Sequence, residues 1–346
     1  MLSNRNSQLG PVVVGFTYNI EKAPDSGEEK DKYAEFDSED TINHIISALE
    51  STGHKVIPIE ANKDLLSKLL QHNVDIIFNI AEGTQNSEGR EAIFPGIFEF
   101  LNIPYVGSDP LTLALGLDKP SAKKIWMESG VLTAKFKILT KLEEIEGLDL
   151  NYPLIVKPAH EGTSKGIFND SYVENIDQLK NIVKKRLEQY SQPLIVEEFI
   201  DGREFTVTVI GNSEPYEILP PVEISFDTIP KEARAFCSYE VKTIWDDPNS
   251  TVCPAKITKN QEKKLKEMAL RAYKAIGCRD FGRVDLRLNK NDDPYILEIN
   301  PLPGMSYSPE VNHSMIKAAK AAGYEYNKYI IRLLNEGIKR CGKKKE

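Results

Sequence analysis

Short apolar runs alternate with helical sequence through the first hundred residues, and this alternation limits the fold more than any other feature. The runs are Pro11–Phe16, Val56–Ile59 and Asp75–Ile80, each the length of a buried strand. Between them Ile42, Ile45, Ile46 and Leu49 recur at helical spacing, as do Leu65, Leu66, Leu69 and Leu70. Ser38 or Asp40 can cap the first helix, and Gly53 can end it. Phe94, Ile97, Phe98 and Leu101 mark a third helix, ahead of Ile103-Pro-Tyr-Val-Gly-Ser. Strands alternating with helices predict a parallel sheet with helices on both faces. Such sheets bind ligands beyond the carboxyl ends of their strands. Here those ends are the loops after Phe16, Ile80 and Val106. The acidic stretch Glu21–Asp40 is long for a loop, and long loops are usually functional or mobile.

The remaining chain is less regular. A middle section from Asp109 holds a helix near Lys119–Ser129, strands at Phe136–Leu139 and Leu154–Lys157, and a charged helix at Ile176–Tyr190. The last section starts near Leu194, with strands at Leu194–Glu198, Glu204–Ile210 and Tyr216–Ile224. An irregular stretch, Ser225–Pro254, precedes a helix at Asn260–Ile276 and strands at Phe281–Leu288 and Tyr295–Asn300. The chain of 346 residues is long enough for two or three domains.

Composition excludes several classes. Hydrophobic residues at 40% and charged residues at 28% are the balance of a soluble globular protein, not a disordered or collagen-like one. A net charge of −8 argues against nucleic acid or an anionic membrane as partner. The basic cluster Lys339–Lys345 reads as a solvated tail. Cysteines at 237, 253, 278 and 341 form no C-x-x-C pair, and reduced thiols in a cytoplasm fit them. The first residues lack the apolar core of a signal peptide, and no run nears the ~18 apolar residues of a membrane span. A cytoplasmic protein is expected.

The last two strands carry the densest chemistry. Side chains alternate faces along a strand. Arg283, Asp285 and Arg287 therefore share one face of their strand, and Ile296, Glu298 and Asn300 one face of theirs. If the strands pair, they form a carboxylate–carboxylate–amide cluster beside an arginine. Hard oxygen ligands of this kind suit Mg²⁺ or Mn²⁺ with phosphate completing the shell. The alternative is the solvent-facing side of two amphipathic strands. Leu154–Gly166 reads L-I-V-K-P-A-H-E-G-T-S-K-G, a strand delivering Lys157 to a turn of two glycines and two hydroxyls. Backbone N–H groups in such a turn can cradle phosphate, although the Walker spacing is missing and an ordinary turn fits as well. Leu194–Glu204, L-I-V-E-E-F-I-D-G-R-E, is either an edge strand with surface carboxylates or an adenine-binding hinge. Asn79–Arg90, N-I-A-E-G-T-Q-N-S-E-G-R, is a solvated loop or, from its place at the sheet's carboxyl edge, a substrate loop.

In register along nearly the whole chain, these segments resemble the ATP-grasp superfamily, and more narrowly D-alanine–D-alanine ligases. The telling ones are F-N-I-A-E-G, I-P-Y-V-G-S-D, L-D-K-P-S-A-K, I-V-K-P-A-H-E-G-T-S-K-G, I-V-E-E-F-I-D-G-R-E-F-T-V, C-P-A, F-G-R-V-D-L and L-E-I-N-P-L-P-G-M. The resemblance implies an α/β ATP-grasp fold. A parallel, Rossmann-like domain over 1–108 would be followed by a central lid domain over 109–193 and a C-terminal α+β domain over 194–346. It implies an ADP-forming carboxylate–amine ligase that joins two amino acids through an acylphosphate. A related ligase for other amino acids or small peptides, and a phosphotransferase of the same superfamily, stay open.

The implied roles fall on particular residues. Lys119 and Lys157 contact ATP phosphates, and Glu161, Gly162, Thr163, Ser164 and Gly166 form a loop closing over them. Glu197, the chain at Glu198 and Ile200 frame the adenine, and Glu204 holds the ribose. Lys242 reaches the γ-phosphate from the 225–254 stretch. Asp285, Glu298 and Asn300 bind two Mg²⁺ ions. Arg283 and the Gly304 backbone face the tetrahedral oxyanion. The resemblance also implies small amino-acid substrates and a possible homodimer. On the amino-acid side the match breaks. Where those ligases carry Gly-Gly-x-Ser-x-Glu, this chain has Gly15-Phe-Thr-Tyr-Asn. Their His-Gly is Glu82-Gly83, their Lys-Tyr is Lys242-Thr243, and their serine and leucine fall near Pro309–Glu310. Glu82, Glu88 and Ser306 are the substrate-side candidates. Glu82 is expected to meet an amine, with Glu21 and Glu88 competing for that role.

Overall fold

The computed structural model describes residues 10–22, 33, 35–83, 87–230, 233–245, 247, 250–307 and 313–342. The first eight residues, the 309–310 position and the tail beyond 342 lie outside the described residues, as do parts of the 21–40, 79–90 and 225–254 stretches.

The N-terminal alternation folds as β1 (Val13–Tyr18), α1 (Glu39–Glu50), β2 (Lys55–Glu60), α2 (Leu65–Gln71), β3 (Ile76–Asn79), α3 (Ile93–Phe100) and β4 (Tyr105–Val106). The strands pair in parallel in the order β2-β1-β3-β4. Ser38 is the cap of α1, accepting from the Thr41 N–H at 3.3 Å. The carboxyl ends of β1 and β3 are tied where the Thr17 hydroxyl donates to Asn79 Oδ1 at 2.7 Å.

Next come α4 (Pro110–Leu117), α5 (Lys119–Glu128), β5 (Phe136–Leu139), β6 (Leu154–Pro158), β7 (Tyr172–Val173), α6 (Ile176–Tyr190) and β8 (Leu194–Glu198). The four strands form an antiparallel sheet in the order β5-β8-β6-β7. Helix α6 lays Leu179 and Val183 on its face, against Leu154 and Val196. Thus β8, expected to open the last section, lies inside the middle section's sheet, and a boundary at 193/194 would cut that sheet.

The last section contains β9 (Gly202–Ile210), β10 (Glu217–Ile218), β11 (Val222–Ile224), α7 (Tyr239–Thr243), β12 (Thr251–Val252), α8 (Lys259–Ala275), β13 (Phe281–Asn289), β14 (Pro294–Asn300), α9 (Ser314–Ala321) and α10 (Tyr326–Gly342). Its sheet runs β12-β11-β9-β13-β14, with β10 also on β9. The single strand expected at 216–224 is two, split at Pro220 and Pro221, which have no N–H to give a ladder. The 225–254 stretch is also less irregular than expected, since it holds α7 and β12.

Three contacts tie these parts together. Trp126 of α5 packs with Ala269 and Ala272 of α8, its indole N–H donating to the Ala272 carbonyl at 3.2 Å. Helix α10 returns to the first sheet, where Ile330, Leu333 and Leu334 share a core with Ile45 and Leu49. Gly337 permits that return, because a Cβ there would lie 2.8 Å from Val106 Cγ2.

The pairing of β13 with β14 sets up the site. Arg283 faces Asn300 and Asp285 faces Glu298, but the next pair is Leu286 with Ile296. Leu297 is thus the extra residue of a β-bulge. The bulge corrects one expectation. Ile296, read as sharing the polar face with Glu298, is turned into the core and fully buried.

Candidate active site

Asp118 caps α5 by accepting from the Ser121 N–H at 2.9 Å, and the helix then presents Lys119 and Lys123 one turn apart. Strands β6 and β8 bring Lys157 and Glu197 alongside. Glu197 is buried between two lysines: Lys157 pairs with one carboxylate oxygen and Lys123 with the other, at 2.8 Å. Lys123 also donates to the Thr133 hydroxyl at 2.6 Å. Burial alone would raise the Glu197 pKa, but the charges of Lys123 and Lys157 hold its carboxyl down to about 2. Lys123 was missed in the sequence, although its spacing from Lys119 was a usable signal.

The second group lies on β13 and β14. Arg283 grips Asp285 with two hydrogen bonds of 2.9 Å, and the Asn300 amide donates to the same carboxylate at 3.0 Å. Glu298 sits 3.6 Å from the Lys119 ammonium. Burial raises Asp285, against the pull of Arg283. Glu298 moves the other way: burial opposes its ionisation, and Lys119, Lys157, Arg283 and Lys242 outweigh it. Among the described residues no cluster of three or more His, Cys, Asp or Glu side chains could hold a metal. The two carboxylates and one amide nevertheless form a hard-oxygen donor set on facing strand positions, which fits Mg²⁺ when phosphate oxygens complete the shell.

Two further segments meet beside these groups. In the turn after β6, Thr163, Ser164 and Gly166 have φ of 49°, 57° and 76°. The Lys119 ammonium donates to the Glu161 carbonyl in the same turn. The Ser164 hydroxyl donates to the Cys237 carbonyl at 3.0 Å, and the Tyr239 N–H to the Ile167 carbonyl at 2.7 Å. The turn is thereby fastened to the 225–254 stretch, and α7 carries Lys242 to where its charge acts on Asp285, Glu298 and His313. His313 was not foreseen. Burial, then Lys242 and Arg283, push its pKa down to about 4, and its ring lies 3.1 Å from where a Gly304 Cβ would be.

The other expected residues are placed as follows. Glu204 is buried and pairs with Arg287 at 3.2 Å, and Arg287 also donates to the Ile200 carbonyl at 3.0 Å. Glu198 accepts from the Asn151 N–H at 2.9 Å. Ser306 is buried beside Met305. Glu88 is at the surface, its side chain 71% exposed and 3.7 Å from His160.

Glu82 belongs to an acidic group at the carboxyl edge of the first sheet. Gly83 packs so tightly on Arg90 that a Cβ there would lie 2.1 Å from the Arg90 carbonyl oxygen. Glu82 is therefore held close to Arg90 and Glu91. Arg90 is itself committed to Glu35, at 2.5 and 2.9 Å. Burial, then Glu91, Glu35 and Asp37, raise the Glu82 pKa well above the carboxylate range. Burial and Glu35 push Glu91 up to about 8, and burial and Glu21 push Asp37 up to about 7. Carboxyls with raised folded-state values bind more protons folded than unfolded. Stability is then expected to fall as pH rises from the ordinary carboxylate range, near 4, through 7 to 8. Glu91→Gln should stabilise the ligand-free protein at pH 8, by on the order of 1–2 kcal/mol, and leave it little changed at pH 4. Thermal melts of both proteins at the two pH values measure this, and an equal shift at both would show that the carboxylate is not under strain.

The profile described as D-ala D-ala ligase C-terminus matches residues 125–335. A D-alanine–D-alanine ligase of Acinetobacter baumannii is 30% identical over 305 residues, which are 86% of this chain and 91% of that one. The chain belongs to the D-alanine–D-alanine ligase family. It is an ATP-dependent ligase of that family, with the ATP-grasp fold. A D-alanine–D-alanine ligase of Cupriavidus metallidurans is 32% identical over 295 residues, 84% of each chain. More similar is the uncharacterized protein y4sG of Sinorhizobium fredii, 36% identical over 304 residues, 86% of this chain and 87% of that one. Among solved structures, a D-alanine–D-alanine ligase of Bacillus anthracis superposes with a TM-score of 0.72 at 23% identity, covering 97% of this chain and 100% of that one. The VanG D-Ala:D-Ser ligase of Enterococcus faecalis gives 0.71 at 21%, covering 95% and 100%. In this D-alanine–D-alanine ligase relative, no helix among the described residues is long and apolar enough to cross a membrane.

Proposed function

We propose that the chain joins two amino acids, activating the carboxylate of the first with ATP and releasing ADP. One observation carries this reading: Lys119, Lys157, Arg283, Asp285, Glu298 and Asn300, drawn from four elements, converge where the 161–166 turn is bonded to the 225–254 stretch. Lys119 and Lys157 hold the ATP phosphates, and Glu197 with Lys123 holds Lys157 in place. The turn at 161–166 covers the phosphates. The chain at Glu197 and Glu198, with Ile200, frames the adenine, while the Glu197 carboxylate itself is taken up by Lys123 and Lys157, and Glu204 takes the ribose. Asp285, Glu298 and Asn300 would hold two Mg²⁺ ions, which when bound offset charge on the phosphates.

The substrate carboxylate attacks the γ-phosphorus, an acylphosphate forms and ADP leaves. The amine of the second amino acid attacks the acyl carbon, the amide bond forms, and phosphate leaves as the nitrogen loses a proton. Arg283 and the Gly304 N–H stabilise the tetrahedral oxyanion, on the order of 3 kcal/mol per donor. The covers keep water from the acylphosphate. Ser306 and Glu82 line the amino-acid side. The three sheets support three units: one near 1–108, a central one whose sheet runs on through Glu198, and a C-terminal one carrying the acidic strands.

The Acinetobacter, Cupriavidus and Bacillus relatives are named as D-alanine–D-alanine ligases. The acidic group around Glu82 favours a related ligase with another first substrate. An ADP-release screen over pairs of D- and L-amino acids, with mass spectrometry of the products, tests the reading. ADP release that needs no amine would overturn it in favour of a phosphotransferase.

The covers add an expectation. Lys242→Ala should lower turnover at least ~100-fold while ATP binding to the open enzyme changes only a few-fold. ATP analogues should also protect the 225–254 stretch from proteolysis. Equal cleavage with and without nucleotide would remove the closing motion.

A further inference from the structure

We propose that the first-substrate pocket takes an amino acid with a cationic side chain, a diamino acid rather than alanine. The inference rests on the ligase reading above and names the class of its first substrate.

Glu35, Glu82 and Glu91 gather at one guanidinium, that of Arg90, and Asp37 adds its charge at Glu82. Arg90 spends its fork on Glu35 and a further N–H on the His160 carbonyl, at 3.1 Å. Lys119 is near, but its ammonium faces Glu298 and the Glu161 carbonyl. Among the described residues Asp37, Glu82 and Glu91 thus share the distant charge of Arg90 or Lys119 or have none, and no described cation forms an ion pair with them.

Glu91 is the decisive one. It is only 9% exposed, and among the described residues neither Glu91 nor Glu82 has a hydrogen-bond or ion-pair partner. A carboxylate buried to that degree is normally paired. Its neighbours Glu82 and Glu35 repel it, so in the ligand-free protein it is held protonated, and a cation bound beside it is what would let it ionise.

The place of the group decides what that cation is. It lies at the carboxyl edge of a parallel sheet, where such sheets place ligands. It also borders the phosphate cover: a Cβ at Gly162 would lie 2.5 Å from Glu35 Oε1 and 3.6 Å from Arg90 Nη2. A substrate there has its carboxylate toward Lys119 and the phosphates and its amine toward the acidic group. One α-ammonium satisfies one carboxylate, or two that share it. The surplus matches a second ammonium on the side chain.

The test compares lysine, ornithine and 2,4-diaminobutyrate with norleucine, norvaline and 2-aminobutyrate, both enantiomers of each. Affinities are read by titration calorimetry on the full chain with a non-hydrolysable ATP analogue and Mg²⁺ at pH 7.5. At least one diamino acid should bind about tenfold or more tightly than its neutral partner of equal backbone length. Glu91→Gln and, separately, Asp37→Asn should each narrow that gap. If no diamino acid outbinds its neutral partner, or none of the six compounds binds, the proposal is overturned. Turnover is read apart from this. A diamino acid that binds selectively, with no ADP released for any second amine, sinks the ligase reading and leaves the pocket assignment standing.

Discussion

Asp285→Asn and Glu298→Gln should each cut ADP release by at least about a thousandfold, some 4 kcal/mol in the barrier. The two carboxylates face each other across β13 and β14, Glu298 3.6 Å from the Lys119 ammonium and Asp285 held by Arg283. Without either negative charge a divalent cation would bind weakly there, and charge on the phosphates would go uncompensated. The two variants should differ in stability. Asp285 is the counter-charge of a half-buried Arg283, gripped by two hydrogen bonds, so Asp285→Asn leaves a guanidinium partly unpaired and should also lower the melting temperature. Glu298 is one-third exposed and its pair with the buried Lys119 is long, at 3.6 Å, so Glu298→Gln should lower the melting temperature less than Asp285→Asn does. Mg²⁺ with an ATP analogue should stabilise the wild type and neither variant. Near-normal ADP release from either variant at ordinary Mg²⁺ would remove the carboxylates from the metal role.

What could be read from the sequence was local. Strand alternation placed Arg283 with Asp285 and Glu298 with Asn300, and pairing supplied the rest. It could not place Ile296, because the bulge at Leu297 is a property of two paired strands and leaves no mark in either one. The same limit hid β8. Leu194–Glu198 is a plain apolar strand, and only pairing with β5 and β6 assigns it to the middle sheet. Helix α10 had an apolar face whose partner, α1, lies almost three hundred residues away in sequence. Some signals were present and unread, such as Pro220-Pro221 inside an expected strand and Lys123 one turn after Lys119. Glu91 had no signal at all. Beside Arg90 it looks like half of a surface pair, and only the close approach of Gly83 shows it buried within an acidic group.

The lysine pair around Glu197 should govern stability as strongly as the acidic strands govern turnover. Glu197→Gln leaves the ammonium groups of Lys123 and Lys157, both buried, without a counter-charge. Breaking a buried ion pair from one side costs about 3–5 kcal/mol, and for a chain of this size that lowers the melting temperature by roughly 5–10 °C. Lys123→Met in the same protein should recover part of the loss. It removes one stranded charge from a site lined by Phe136, whose ring centre is 5.9 Å from the Lys123 ammonium. The pH dependence gives an independent readout. The folded-state pKa of Glu197 is held at about 2, below that of the unfolded chain, so its contribution is present above the ordinary carboxylate range. It fades as pH falls from about 4 toward 2, and the wild type and Glu197→Gln should converge across that window. The variant should also bind ATP more weakly, because Lys157 loses the carboxylate that aims it. A Glu197→Gln protein melting within a degree of wild type at pH 7 would show that the two lysines do not depend on this carboxylate, and Lys157 would then need another support.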